Sequence, residues 1–455
     1  MSRLIDNNTS VPMEDSARGG MRNVWIITIS MTVLAICYTM IVPFLPIYLL
    51  ELGVANDEVA LWSGLVFGIT FLIAGVMAPI WGKIADNRGK KMMALRAGFA
   101  IALSYIMIAF VTDQWQLLIG RAFQGFANGF YPAAMTMVSL SVDEKRVGRA
   151  LGIFQIGLIL GNVVGPFLGG AAESLVGMRP VFFIAGAAVF LATIAVWIFV
   201  KEPQMSVTEG IDRTKSYTKD LPANGNHQTA SKPIHHVVPT AEEKEVLKED
   251  TGRTSIWDDF KRVKNNPVLV RLLWIYFFMQ CAMLMLQPIL ALYIGSMQGS
   301  MEGAAIISGT ILSIGGIAGA LTTNLWVRVG ETKGYFTTIS YCMMGSGIVL
   351  ALQSMPLGVW WFGVLQVIIG CFIVGINPSL SAAITINTDP SFRGRMFGMT
   401  TTAQQFGSMV GPVFASLVST WLGYPFVFGL AAILLFYLGA KALKLSNAYD
   451  YKESV

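Results

Sequence analysis

Residues 157–170 read G-L-I-L-G-N-V-V-G-P-F-L-G-G, and the spacing of glycine in this run decides how the rest of the chain is interpreted. Four glycines recur at every fourth position and therefore lie along one side of a helix: Gly157, Gly161, Gly165 and Gly169. A side without side chains lets a neighbouring helix approach closely, which is typical of membrane-spanning helices. Pro166 lacks a backbone N–H and favours a kink within the run, which Gly170 extends. The pattern indicates either a close-packing face or a contact that moves.

The composition is that of a polytopic membrane protein. Of 455 residues, 54% are hydrophobic and 13% are charged, against about 25% charged residues in soluble domains. A formal net charge of +5 is small for this length and argues against a nucleic-acid partner. The four cysteines lie in apolar runs without a CxxC pair, and the three histidines share one polar segment. We therefore expect neither a metal site nor a cofactor.

Twelve apolar stretches are long enough to cross about 30 Å of hydrocarbon. They lie near residues 24–50, 60–82, 93–112, 114–140, 147–172, 178–201, 268–296, 303–328, 335–355, 358–386, 393–420 and 424–444. The expected organisation is a cytoplasmic tail (1–23), a six-helix bundle (24–201), a cytoplasmic linker (202–266), a second six-helix bundle (267–444) and a cytoplasmic tail (445–455). The predicted fold class is an all-α integral membrane protein with twelve transmembrane helices.

The two halves match at a nearly constant offset. Trp81 and Trp326 are 245 positions apart, and Pro166 and Pro412 are 246 positions apart. Both halves run in the same direction, so we predict a parallel repeat with its axis along the membrane normal and a cavity between the bundles. The second copy of the glycine run, residues 403–415, has alanine at both ends. Packing explains what the copies share, and the additional glycines of the first copy favour a moving contact.

The distribution of Lys and Arg predicts the orientation. These residues occur in the central linker and in the connections after the second, fourth, eighth and tenth spans, whereas the opposite connections carry none except Arg179. The positive-inside rule then places the linker and both termini in the cytoplasm, with the chain crossing the plasma membrane.

Residues 82–91, G-K-I-A-D-N-R-G-K-K, join the second and third spans. Two glycines permit a tight turn, and the basic cluster stays in cytoplasmic water. The run resembles the signature loop of the major facilitator superfamily. This resemblance implies a latch that holds the outward-facing state closed on the cytoplasmic side, made here by Gly82, Asp86, Arg88, Gly89, Lys90 and Lys91. Asn87 stands where the family usually has a basic residue, and Lys90 where arginine is commoner, so the latch partners are expected to be rearranged.

Arg121 lies inside the fourth span, where a charge is costly and normally faces a cavity or a partner. Its repeat mate is Gln366, so the charge belongs to one half only. The alternative is an arginine that snorkels to the membrane interface. The surrounding sequence resembles the superfamily's second motif, and that resemblance implies a role for Arg121 in proton coupling.

Residues 161–170 resemble the fifth-helix motif of exporters that work by antiport, as in the twelve-helix drug:proton antiporter family. The likeness runs along both halves and leaves out the linker and the N-terminal tail. It implies a hinge that comprises Gly157, Gly161, Gly165, Pro166, Gly169 and Gly170.

The positions of the acidic residues are difficult to reconcile with an antiport mechanism, because none lies near the centre of a predicted span. Burial raises the pKa of a carboxyl group toward the range in which it carries protons. The candidates are Asp86, near the helix of Arg121, and Glu173, just past the glycine run. Both also fit ordinary surface carboxylates.

By analogy with the family, the first, fourth, seventh and tenth spans and their neighbours line the cavity. The candidate lining residues are Tyr38, Gln124, Asn128, Tyr131, Gln155, Gln280, Met283, Gln287, Tyr293 and Asn377. Aromatic, methionine and amide side chains suit large lipophilic substrates, since soft side chains adapt to varied shapes. Lipid-facing or interhelical packing is the alternative for each of them.

The leading hypothesis is a secondary active transporter that exports lipophilic small molecules, drugs among them, from the cytoplasm. The resemblance implies proton antiport by alternating access, with the proton gradient as driving force, and a monomer in the lipid bilayer. The alternative is an exporter or importer of a specific metabolite, such as a sugar, on the same fold. A non-transporting sensor, scaffold or membrane enzyme is the remote alternative. No histidine lies in an apolar run and no paired carboxylates meet at membrane depth, which argues against an enzyme.

Overall fold

The computed structural model describes residues 13–143, 146–201, 261–388 and 392–449. The chain divides into two compact units, a larger one of residues 1–202 and 271–455 and a smaller one of residues 203–270. Most of the predicted linker therefore lies outside the described residues, as do the ends of both predicted tails. In the described part of the smaller unit, the side-chain oxygen of Asn266 accepts the N–H of Val268 at 3.0 Å and starts the next helix.

The described residues are helical, with short connections. The first half contains α1 (Met13–Ile41), a 3₁₀ turn (Val42–Phe44), α2 (Leu45–Glu51), α3 (Val59–Arg88), α4 (Lys90–Ala109), α5 (Gln114–Ala127), α6 (Phe130–Leu140), α7 (Val147–Val176) and α8 (Met178–Phe199). The second half contains α9 (Pro267–Met285), α10 (Leu290–Gln298), α11 (Ala304–Lys333), α12 (Tyr335–Gln353), α13 (Val359–Ile373), α14 (Ile376–Ile386), α15 (Arg393–Leu422) and α16 (Tyr424–Tyr449). The predicted bundle boundaries stay a prediction.

Ten helices of the described residues are long and apolar enough to cross a membrane. The predicted fourth and eleventh spans are not among them. The fourth is divided into α5 and α6, because the helix stops at Ala127 and Gly129 has a φ of 128°. The eleventh, α15, is 30 residues long but rich in threonine, serine and glutamine, which lowers its hydropathy.

Corresponding residues of the two halves make corresponding contacts. The hydroxyl of Tyr48 donates to the carbonyl of Ile108 at 3.0 Å, and the hydroxyl of Tyr293 donates to the carbonyl of Gln353 at 3.2 Å. Both the donors and the acceptors are 245 positions apart. The predicted parallel repeat is therefore visible in the hydrogen bonds that close each half.

Two helix pairs make most of the contact between the halves among the described residues. Gly64 of α3 lies against the side chain of Ser416 and the carbonyl of Pro412 in α15. In the matching pair, Gly309 of α11 lies against the carbonyl of Pro166 in α7. These glycines are repeat mates, as are the two prolines. A Cβ atom at either glycine would collide with backbone, so both positions require glycine for this close approach.

Candidate functional site

The halves touch toward one end of the molecule. Contacts of α3 with α15 involve Gly64, Gly68 and Gly75, and contacts of α11 with α7 involve Gly309 and Gly316. Glycines with no atom within 4 Å of an added Cβ occur at both ends: Gly82, Gly148, Gly152 and Gly398 near residues 82–91, and Gly53, Gly299, Gly303 and Gly358 at the opposite end. The described glycine contacts and the hydrogen bond between the halves lie on the side away from residues 82–91, which is called the closed end below.

The predicted hinge has two faces with different partners. Gly157, Gly161, Gly165 and Gly169 pack against Thr28–Met40 of α1, within the same half. A hydrogen bond of 3.2 Å from the Thr39 hydroxyl to the Gly161 carbonyl lies in this contact. The other face carries Pro166 and Gly170, and a Cβ at Gly170 would lie 2.8 Å from the Cα of Ile306 in the second half. The face of α7 that carries these four glycines therefore packs within the first bundle. The adjacent face of α7, with Pro166 and Gly170, contacts the second bundle.

The second copy of the ridge is used in the same way. Gly407 and Gly411 of α15 pack against backbone at Phe277 and Cys281 of α9. In each half, the helix with the small-residue ridge therefore packs on the first helix of its own half and presents another face to the other half. The role of the ridge as a hinge stays a prediction.

The predicted latch is not an extended loop: residues 82–88 form the end of α3 and Lys90 begins α4, so Gly89 alone connects the two helices. Gly89 joins α3 to α4 with a φ of 93°, and its repeat mate Gly334 has a φ of 92°. Both values lie in the left-handed region that favours glycine. The ammonium of Lys91 donates to the carbonyl of Trp197 at 2.8 Å, a contact within the first half. The side chains of Asp86 and Asn87 lie outside the described part of the structure.

Arg121 is completely buried in the first half, with 0% of its surface exposed. Its Nη1 donates to the Oε1 of Gln124, while Nε and Nη2 have no hydrogen-bond partner among the described residues. Tyr38 and Tyr105 are its electrostatic neighbours. This burial excludes the snorkelling alternative. Since the free nitrogens lack accessible surface, no substrate group reaches them in this conformation.

Close packing of α5 on α3 holds the arginine in place. Gly125 lies against the carbonyl of Thr70, and the Thr70 hydroxyl donates to the Arg121 carbonyl at 3.1 Å. Among the described residues, Arg121 has no carboxylate in an ion pair. In the second half its mate Gln366 accepts a hydrogen bond of 2.9 Å from the buried Gln353 amide. An uncharged amide pair thus stands where the first half has a buried cation.

The predicted cavity residues fall into three groups. Tyr38 and Gln124 lie beside Arg121. Asn128, Tyr131, Gln155 and Asn377 are exposed, whereas Gln280 and Met283 on α9 and Gln287 in the turn after it are partly buried. Tyr293 is different: it is 2% exposed and packs 4.9 Å from the ring of Phe428 in the core of the second half. Its hydroxyl donates a hydrogen bond to the Gln353 carbonyl, so Tyr293 belongs to the core and not to a cavity wall.

The second predicted proton carrier, Glu173, lies at the closed end. It is partly buried and interacts electrostatically with Glu51, whose carboxylate accepts the N–H of Met178 at 3.5 Å. Arg179 belongs to the same group and donates to the Val111 carbonyl at 3.3 Å. The sequence alone does not single out Glu51 as a member of this group, because its neighbours come from distant helices.

Two further features escaped the sequence reasoning. An almost wholly apolar crevice of about 370 Å³ lies between α3, α5 and α15 and is lined by residues such as Leu65, Leu72, Leu118 and Phe414. Arg96 of α4 lies at the break between α5 and α6, with its guanidinium on the ring of Trp81. In the sequence, Arg96 lies seven residues after Gly89 and looks like one more basic residue flanking the loop. Its contacts are visible only in the folded chain.

Comparison with known proteins agrees with this architecture. A family model described as Major Facilitator Superfamily matches residues 27–388 and, in a second match, residues 328–452. The multidrug resistance protein MdtG of Proteus mirabilis (strain HI4320) is 30% identical over 417 residues, 91% of this chain and 94% of that protein. MdtG of Rahnella sp. (strain Y9602) is 28% identical over 422 residues, which is 91% of both chains.

Solved structures have the same fold. A bacterial homolog to the human lysosomal transporter Spinster, in an inward-facing and unoccupied conformation, has a TM-score of 0.67. It is 16% identical, and the match covers 95% of this chain and 98% of that chain. The nucleoside transporter NupG has a TM-score of 0.69 at 13% identity, with 93% and 99% of the chains covered.

Two repeated halves of membrane-length helices that contact each other toward one end, together with the match to the family model, identify a multi-pass membrane transporter. It is not an enzyme, because the matching family is one of transporters. The chain belongs to the major facilitator superfamily.

Proposed function

We propose that this protein exports lipophilic small molecules, including drugs, from the cytoplasm across the plasma membrane in exchange for protons. The observation that carries the proposal is the pair of matching contacts between the halves. Gly64 against Pro412 and Gly309 against Pro166 join the two halves at the closed end. Such contacts form or separate as units, as alternating access requires. The names of the MdtG relatives support drugs as the substrate class.

The proposed orientation follows from the positive-inside rule, with both termini in the cytoplasm. The end that carries residues 82–91 then faces the cytoplasm and the closed end faces outward, so we propose that this conformation is open inward. In this orientation a lipophilic molecule enters from the cytoplasm or the inner leaflet. The proposed contacts are the polar and soft side chains of Gln280 and Met283 on α9 and of Gln287 in the turn that follows it.

The proposed coupling uses Arg121 together with a carboxylate. Arginine stays protonated in proteins, so it cannot carry the transported proton itself. A buried cation without an ion-pair partner raises the cost of any second positive charge nearby and favours a negative one. We propose that the carboxylate of Glu173 or Asp86 binds the transported proton. The Arg121 guanidinium would respond electrostatically to the resulting change of charge. Glu51, next to Glu173, is a third carboxylate for the test.

The test uses everted membrane vesicles from an efflux-deficient host that expresses the full chain. A lipophilic dye is expected to accumulate when respiration acidifies the vesicle interior and to leave when an uncoupler collapses the gradient. Arg121→Gln and Glu173→Gln are compared with Glu302→Gln, an exposed carboxylate on the same predicted side. Dye accumulation that ignores the uncoupler would overturn proton antiport.

The competing function, transport of a specific metabolite, is an outcome of the same assay. A panel of lipophilic dyes and drugs is tested beside sugars and nucleosides. Export of structurally unrelated lipophilic compounds supports the proposal, and transport of a single polar compound overturns it. Light scattering on the purified protein in detergent checks the proposed monomer.

A further inference from the structure

The fourth span is interrupted inside the first half. α5 ends at Ala127, and α6 begins at Phe130 after Gly129, whose φ is 128°. A helix end leaves its last carbonyl groups without intrahelical partners. In a membrane such groups need a partner from the protein, because hydrocarbon supplies none. The side chains that donate hydrogen bonds to the free carbonyl groups at this break therefore decide how stable the break is and how the following residues are oriented.

Arg96 supplies most of these partners. Its Nη2 donates to the carbonyls of Asn128 at 2.9 Å and Ala127 at 3.4 Å, and its Nη1 to that of Phe126 at 3.5 Å. One guanidinium thus covers three consecutive carbonyls at the negative end of the α5 dipole. A cation in this position is electrostatically favoured, and the planar fork of arginine suits several acceptors at once.

Trp81 joins the same contact from α3. The guanidinium of Arg96 lies 3.6 Å from the centre of the Trp81 ring, and the indole N–H donates to the Phe126 carbonyl at 2.9 Å. Trp81 directly precedes the 82–91 loop. The break in the fourth span and the beginning of the predicted latch are therefore held by one stacked pair of side chains.

The second half has a corresponding break without a charge. Trp326, the mate of Trp81, donates to the carbonyl of Cys371, which is the mate of Phe126. The mate of Arg96 is Tyr341, which is 45% exposed. Gly375, at this break, has an ordinary helical φ of −75°. The charged cap is thus an addition to the first half, where Arg121 also lies.

We propose that Arg96 is a positioning residue for the substrate cavity: it sets the orientation of the Asn128–Tyr131 segment and ties that segment to the 82–91 loop through Trp81. The segment carries two predicted cavity residues, Asn128 and Tyr131, both exposed. The inference rests on the proposed transport function, because it assigns these residues to the substrate. Lysine at position 96 retains the charge and cannot cover three carbonyls, whereas glutamine loses the charge.

The first readout does not depend on transport. Asn128→Cys is placed in a full-length background whose four cysteines are replaced by serine or alanine, and its labelling rate with a water-soluble maleimide is measured. Adding Arg96→Gln is expected to change this rate severalfold, Arg96→Lys less, and Tyr341→Gln not at all. Equal rates in all four proteins would overturn the positioning role, whether or not the protein exports the dye.

The second readout is dye export by purified protein in proteoliposomes with an imposed proton gradient. Arg96→Gln is expected to raise KM by about tenfold or more, since a small misplacement of binding groups costs up to about 100-fold. Arg96→Lys should restore part of the affinity, and the melting temperature of Arg96→Lys should stay near that of the parent protein. An unchanged KM with lowered kcat, or loss of activity that only follows loss of folded protein, would overturn the inference. Absence of dye export by the parent protein would refute the proposed function instead.

Discussion

The backbone N–H of Phe167 in α7 donates a hydrogen bond of 3.1 Å to the hydroxyl of Ser313 in α11, and so joins the two halves of the transporter. This bond follows Pro166, whose carbonyl lies against Gly309. Both residues lie at the closed end, opposite to residues 82–91, so the bond belongs to the conformation in which the closed end is shut. The bond must break when the halves rock to open the closed end. The contact between α7 and α11 is therefore a place where conformations can be locked or excluded.

A disulfide between α7 and α11 is expected to lock the closed end. An ideal Cβ at Gly316 would lie 3.6 Å from the Cβ of Val163, within the range of a disulfide. In the cysteine-free background, Val163→Cys with Gly316→Cys should lose export on oxidation and regain it on reduction. The single-cysteine proteins are the controls and should respond to neither reagent. Full export by the cross-linked protein would refute movement at this contact.

Gly309→Leu is expected to abolish export while the protein still inserts and each half folds. The new side chain would meet backbone at Pro166 across the interface between the halves and exclude the closed end. Gly429→Leu is the matched control, because it adds the same side chain in the same half where no atom of another helix lies within 4 Å. Dye export and the amount of folded protein in membranes are measured together. Normal export by the Gly309 variant would contradict the closed-end contact.

Gly161→Leu is expected to destabilise the first half itself. A Cβ at this position would lie 2.8 Å from the carbonyl of Thr32 in α1, and overpacking costs about 1–3 kcal/mol or more. Gly152→Leu tests the same helix and the same substitution in open space. The melting temperature in detergent should fall for the first variant and stay close to the parent value for the second. Equal melting temperatures would show that the ridge is not a tight packing surface.

Arg121→Met is expected to remove the response of export to the proton gradient without lowering thermal stability. The guanidinium is fully buried, and two of its nitrogens have no hydrogen-bond partner among the described residues; leaving such groups buried is itself unfavourable by about 1–3 kcal/mol. The methionine side chain fills most of the volume without a charge. Gradient-driven export should fall by about 100-fold, which corresponds to about 2.7 kcal/mol, because the charge proposed to respond to the proton is lost, while the melting temperature stays equal or rises. Retention of uncoupler-sensitive export would refute the coupling role.

Hydropathy and repetition in the sequence predicted most of the fold. Apolar runs of membrane length are visible without tertiary contacts, because each helix must satisfy its own backbone in hydrocarbon. The offset between Trp81 and Trp326 likewise predicted the parallel repeat, and both indoles donate to matching carbonyls. The break of the fourth span was not predicted, because the Asn128-Gly129 dipeptide lies within a long, mostly apolar run and the φ of Gly129 is a property of the folded backbone.

Residue type and spacing by themselves determined the membrane class, the superfamily resemblance and the candidate residues Arg121 and 157–170. Only the tertiary structure decided which face of α7 meets which partner, because every fourth-residue ridge can pack on any nearby helix. It placed the glycine ridge against α1, and Pro166 and Gly170 against the second half. It also brought Arg96 to the carbonyls of Phe126–Asn128. Helix ends expose acceptors whose partners come from elsewhere in the chain, and sequence order does not identify those partners.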